Sequence, residues 1–147
     1  MDIRHIFLKI AYKLMNLYWV TTKTVSVGVR VVIEHNGKVL LVKHSYREGY
    51  YLPGGGVGRT EEFVHAAIRE VFEETNLVVK NPRLINVYRN FIEGKSNCVL
   101  IYKVGEIVDP DALKIDGVEI IDSKWADVRD IPEDASYYTR QVLESLR

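Results

Sequence analysis

The stretch Leu52-Pro53-Gly54-Gly55-Gly56-Val57-Gly58, with Arg69-Glu70-Val71-Phe72-Glu73-Glu74-Thr75-Asn76-Leu77 downstream of it, decides how this chain is read. Glycines 54, 55 and 56 lack side chains, so the backbone there can approach a phosphate or offer a carbonyl to a metal. Apolar residues then recur at helical spacing, and a helix is expected from about Glu61 to Thr75. Thr60 is its expected N-cap and Asn76 its expected left-handed closing residue. Val64, Ile68, Val71 and Phe72 share one arc of that helix and are expected to face the core. Glu70, Glu73 and Glu74 fall within another arc of about 100°, with Glu62 on the same side.

Like charges at those spacings repel by a few tenths of a kcal/mol per pair, and an ordinary solvated face mixes in lysines. A divalent cation would remove the repulsion. Carboxylate oxygens without a His or Cys partner suit Mg²⁺ or Mn²⁺ rather than zinc, and Mg²⁺ is commonly completed by substrate phosphates. Crowding is expected to raise the proton affinity of at least one carboxyl in the metal-free protein. Judged on the carboxylates alone, an ordinary acidic helix face after a glycine turn remains an equal reading.

The flanks extend the pattern. A Val-rich run, Thr24–Glu34, reads as a strand, His35-Asn36-Gly37-Lys38 as a hairpin turn and Val39–Lys43 as the returning strand. Further strands are expected at Arg83–Phe91, Asn97–Val104 and near Glu119–Trp125, and a C-terminal helix after Ile131-Pro132-Glu133-Asp134. Strands before and after a central helix, with helices at both ends, imply an α/β sheet covered on two faces. Tyr46, Arg47, Tyr50 and Tyr51 stand just before the glycines, where they could stack on a base, bind phosphate or simply pack. Strand register decides whether Arg30, Lys43 and His44 face the cleft, and His44 is expected to be solvated at its strand end. Cys98 reads as a small core residue.

At the N-terminus, Ile3, Ile6, Phe7, Ile10, Leu14, Leu17 and Tyr18 share one helical face, and His5, Lys9, Lys13 and Asn16 the other. This amphipathic helix is too short and too charged to span a bilayer. It is expected to pack on its own domain or on a second subunit, with a homodimer through this helix as one outcome; contact with a membrane surface is the less favoured reading. Residues 1–22 are accordingly expected as a helical extension of one domain, 23–147.

Composition limits the rest. Of 147 residues, 20 are Lys or Arg and 20 Asp or Glu, so the excess of positive charge that drives generic nucleic-acid binding is missing. One cysteine excludes an intrachain disulfide framework and a multi-cysteine zinc site. A cytoplasmic, reducing setting is the default expectation.

Gly55, five residues, Glu61, seven residues, then Arg69 to Leu77 resembles the Nudix box, with Asn76 where the family has glycine. Leu52–Gly56, the flanking hairpin and a glutamate six residues before a tryptophan, Glu119 and Trp125, add to the resemblance, which runs from about Val25 to Pro132. Thr60 replaces a frequent family glycine, and Gly58 stands where many members carry an acid. The resemblance implies a Nudix-type α/β/α sandwich with a mixed sheet. It also implies a metal-dependent pyrophosphohydrolase that cleaves the diphosphate linkage of a nucleoside diphosphate derivative by attack of water at phosphorus. The alternative is a Nudix-fold module that binds or senses a nucleotide without cleaving it.

By position, the resemblance makes Glu70 and Glu74 the main metal ligands, Glu73 a supplementary one and the Gly54 carbonyl a further contributor, with Mg²⁺ or Mn²⁺ as cofactor. Arg69 joins the catalytic set through pairing with Glu61 or Glu73. The general base is Glu119, or else Glu70 or Glu73. Gly54, Gly55, Gly56, Arg47 and Tyr51 are the expected substrate-binding residues, and the partner is a small nucleotide-type substrate.

Overall fold

A computed structural model describes residues 3–22, 25–92 and 95–147. Helix α1 spans Ile3–Thr22, β1 Ser26–Val32, β2 Glu34–His35 and β3 Lys38–His44; α2 spans Phe63–Thr75. Then come β4 (Val79–Lys80), β5 (Arg83–Ile92), β6 (Lys95–Lys103), β7 (Glu106–Ile107), a 3-10 turn at Pro110–Ala112, β8 (Ile120–Asp127) and α3 (Tyr137–Ser145). Residues 93 and 94, which join the strands expected at Arg83–Phe91 and Asn97–Val104, lie outside the described residues.

β1 lies parallel to β6, and β6 pairs antiparallel with β5, which makes a mixed sheet in the order β1-β6-β5. A second sheet, β2-β3-β8, is antiparallel. Alternation along β1 sends Val29 and Val31 to the layer of Ala66, Ala67 and Val71 on α2, and Val32 to the layer of Val142 and Leu143 on α3. Helices thus cover opposite faces of a mixed sheet, the α/β/α arrangement expected. Among the described residues no helix is long and apolar enough to cross a membrane.

The Val-rich run is not one strand. It breaks after Val32, and Glu34–His35 joins the other sheet, so β1 and β3 diverge and leave a wedge between the sheets. The glycine stretch fills it. Val29 N–H donates to the Gly55 carbonyl at 2.9 Å and Val31 N–H to that of Pro53 at 2.8 Å, while Tyr51 exchanges two 2.9 Å bonds with Val42. Gly54, at φ 137°, packs so tightly that a Cβ would collide with the Val29 carbonyl.

Candidate functional site

Helix α2 begins two residues later than expected. Glu62 is its N-cap and Thr60 supplies no cap; the helix ends as expected at Asn76, left-handed at φ 60°, with its N–H bonded to the Phe72 carbonyl at 2.8 Å. The exposed carboxylate stripe needs correction. Glu74 is only 6% exposed and Glu70 14%, against 57% for Glu73. Ala67, Val71 and Thr75 are the buried neighbours that set the helix face, and at about 100° per residue Glu74 falls inside it. Phe72, expected in the core, lies at the far edge of that face and is 51% exposed.

Glu74 reaches into the wedge and accepts the Gly54 N–H at 2.9 Å. Glu70 lies against Gly55, where any Cβ would strike its carboxylate. Glycine is required at 54 by its φ of 137° and the Val29 carbonyl, and at 55 it leaves room for the Glu70 carboxylate. Burial drives the Glu74 carboxyl up to about 8 and also raises that of Glu70, and each carboxylate adds to the burden of its neighbours. Two acids held where their charge is disfavoured, with hard oxygen donors, form a set that a divalent cation would fit.

Arg69 ties the loop to the helix. Its Nε and Nη2 bond Glu61 at 2.7 and 2.9 Å, its Nη1 bonds Glu70 at 2.8 Å and Glu73 at 2.9 Å, and Nη2 also reaches the Gly56 carbonyl at 3.0 Å. Its fork of five donors is matched to this many acceptors. The Arg69 bonds, with the Gly58 N–H, hold the Glu61 carboxyl down to about 2. The same pairing keeps Glu73 outward. Among the described residues no three His, Cys, Asp or Glu side chains converge closely enough to hold a metal ion.

His44 is not solvated. Leu40, Val42 and His44 alternate onto one face of β3, and the register shift at Lys43/His44 against β8 leaves the imidazole 2% exposed. Its Nε2 stands 3.8 Å from Glu74. Burial, then the charges of Arg30 and Arg47, pull His44 down to about 3, so the ring is neutral at pH 7 and this contact is not an ion pair. The period-two pattern from Leu40 was the signal that could have placed it.

Beside it lies an aromatic and cationic loop. Tyr46 O–H donates to Glu119 at 3.0 Å, and the Tyr46 and Tyr51 rings pack on His44 with centroids 5.2 and 5.7 Å away. Arg47 stacks over Tyr51 at 5.7 Å and over Tyr12 of α1 at 4.8 Å, and its Nε bonds the Tyr12 hydroxyl at 2.9 Å. Contact between α1 and this loop was not foreseen. Glu119 is exposed, yet its charge acts on Glu74. The site residues thus gather around one wedge: Glu70 and Glu74 inside, Arg69 and Glu73 at its outer lip, Tyr46, Arg47, Tyr51 and Glu119 across from them.

The family model for the NUDIX domain matches residues 22–146. The chain belongs to the NUDIX family. Its fold is that of a MutT NUDIX hydrolase from Burkholderia pseudomallei, with a TM-score of 0.77 at 22% identity over 84% of this chain and 99% of that one. The MutT protein of Methanosarcina mazei is similar at 25% identity and a TM-score of 0.72, over 82% of this chain and 91% of that one. Among curated relatives, this NUDIX chain is 36% identical over 77 residues to diphosphoinositol polyphosphate phosphohydrolase 2 of Homo sapiens, 52% of this chain and 43% of that protein. It is 38% identical over 66 residues to an ADP-ribose pyrophosphatase of Methanocaldococcus jannaschii, 43% of this chain and 39% of that protein. The matches span less than half the length of these relatives.

Proposed function

We propose that this chain is a metal-dependent pyrophosphohydrolase that cleaves the diphosphate linkage of a nucleoside diphosphate derivative. The observation that carries this reading is the buried pair Glu70 and Glu74 against the Gly54–Gly56 backbone, with its raised proton affinity. Glu70 and Glu74 would hold Mg²⁺ or Mn²⁺, with Glu73 released from Arg69 and the Gly54 carbonyl as further ligands. The ion, when bound, neutralises phosphate charge and polarises water. Glu119, or else Glu70 or Glu73, would accept the proton of the water that attacks phosphorus. Arg69 positions Glu61, Glu70 and Glu73 rather than touching substrate. The same reading puts the protein in the cytoplasm, as a homodimer through α1.

The test is a hydrolysis panel with Mg²⁺ and with Mn²⁺. Names of relatives add diphosphoinositol polyphosphates, ADP-ribose and 8-oxo-dGTP to nucleoside triphosphates, nucleotide sugars and dinucleoside polyphosphates. Turnover of at least one, abolished by chelation, is expected. Tight binding of one compound with hydrolysis of none would replace the enzyme with a nucleotide sensor.

A further inference from the structure

Polar groups buried without a partner cost about 1–3 kcal/mol each, so a cluster of them marks something the fold retains for another reason. Three buried side-chain atoms have no hydrogen-bond partner among the described residues, and they are neighbours: His44 Nδ1, His44 Nε2 and Ser45 Oγ. Two guanidinium groups act on the same spot. Arg30, on β1 with its Cα against Gly54, has as its one hydrogen bond among the described residues a long 3.5 Å contact from Nη1 to the Val29 carbonyl. It forms no salt bridge there, although Glu74 and Glu70 lie within its electrostatic reach. Arg47 commits Nε to Tyr12 and its faces to tyrosines, while its terminal nitrogens have no hydrogen bond among the described residues.

Arg30 and Arg47 are close enough to repel each other. A cavity of about 760 Å³ has Lys43, His44, Ser45, Arg47 and Tyr51 in its wall; Arg30 is not in that wall and acts on His44 through its charge. Three acids also line it, Glu48, Glu133 and Asp134, and Asp134 is taken up by Lys124 at 2.8 Å. A neutral imidazole can donate one N–H, a serine its O–H and two guanidinium forks several more, with no anion among them. Tetrahedral phosphoryl oxygens match that set in charge and in donor number.

We infer that Arg30, His44, Ser45 and Arg47 form an anion subsite for a phosphoryl group of the substrate, the one not bound through the cation proposed at the carboxylates of α2. This rests on the diphosphate reading above, and it adds which residues take the second phosphoryl group. A charge-assisted bond lost at this site should weaken binding by tenfold or more.

Inorganic pyrophosphate, titrated calorimetrically into the full chain in EDTA, tests it without metal or turnover. Binding is expected, along with a shift of the His44 ring nitrogens in the NMR spectrum. Arg30→Gln and Arg47→Gln should each weaken binding at least tenfold, and Arg59→Gln, on the exposed part of the glycine loop, should not. Thermal melting separates a structural role: removing an underpaired cation should leave the midpoint of Arg30→Gln unchanged or raised, and Arg47→Gln carries the test if Arg30→Gln does not fold. No pyrophosphate binding, or unweakened binding by both variants, overturns the subsite. Pyrophosphate binding with a blank hydrolysis panel overturns the enzyme reading and leaves the subsite standing.

Discussion

At Glu74 a carboxyl group sits where its charge is disfavoured by burial and only partly relieved by Arg30 and the Gly54 N–H. Folding raises its proton affinity from 4.5 to about 8, so in that window the folded protein binds more protons than the unfolded chain. Its contribution to stability is complete below pH 4.5 and is lost as pH rises through 8. His44 acts in the opposite sense: its affinity falls from 6.5 to about 3, so its contribution is present above 6.5 and lost on acidification. Between pH 4.5 and 6.5 the two slopes cancel. Melting curves in EDTA should therefore show a plateau there and a decline on both sides, the acid one joined below pH 4.5 by Glu61. Glu74→Gln should remove its share of the alkaline decline, turn the plateau between pH 4.5 and 6.5 into a rise with pH through His44, raise the melting temperature at pH 8, and lower hydrolysis at saturating Mg²⁺ by two or more orders of magnitude, or about 2.7 kcal/mol. A folded variant with near-normal turnover would remove Glu74 from the site.

At the scale of elements, what was legible is what local chemistry dictates. Asn36 and Gly37 both take positive φ, at 51° and 73°, which is why that dipeptide announced the hairpin. Asn76 closes α2 for the same reason, and its Nδ2 also reaches the Ala112 carbonyl at 3.1 Å. Asn76→Ala should then cost about 1–2 kcal/mol in a denaturant melt, from the left-handed strain on a Cβ. Asn76→Gly should cost only the Ala112 bond. Equal losses in the two variants would show that the side-chain bond, not the backbone, ends the helix. Less local features were not legible. Two-residue strands β4 and β7 pair across distant positions, Val79 with Ile107, and leave no periodic trace. The burial of Glu74 depends on how α2 rolls against β1, which one helix's spacing cannot fix. The residues of the box were readable as a set, whereas the wedge that swallows two of its glutamates follows from the split between sheets after Val32.

On the whole molecule, α1 is an element with an apolar face that the domain, among the described residues, leaves uncovered. Phe7, Ile10, Leu14 and Leu17 are exposed, and among its described side chains Leu8, Ala11 and Tyr12 are the half-buried ones. A face that apolar is unfavourable in water and marks a contact surface. The homodimer proposed through α1 would cover it, and deleting residues 1–18 should then halve the mass measured by light scattering. The junction with the site adds a second consequence. Tyr12 holds Arg47 through its hydroxyl and its ring, so the truncated chain loses a restraint on a side chain proposed to bind phosphate, not on the carboxylates that carry the chemistry. The expected kinetic signature is a KM raised several-fold with kcat within a few fold of the full chain. Tyr12→Phe separates the effects, since it removes the hydroxyl bond and keeps both the ring and the apolar face. It should reproduce part of the KM change at unchanged mass. A truncation that keeps its mass refutes the homodimer, and one that loses kcat while KM holds would make α1 part of the catalytic site itself.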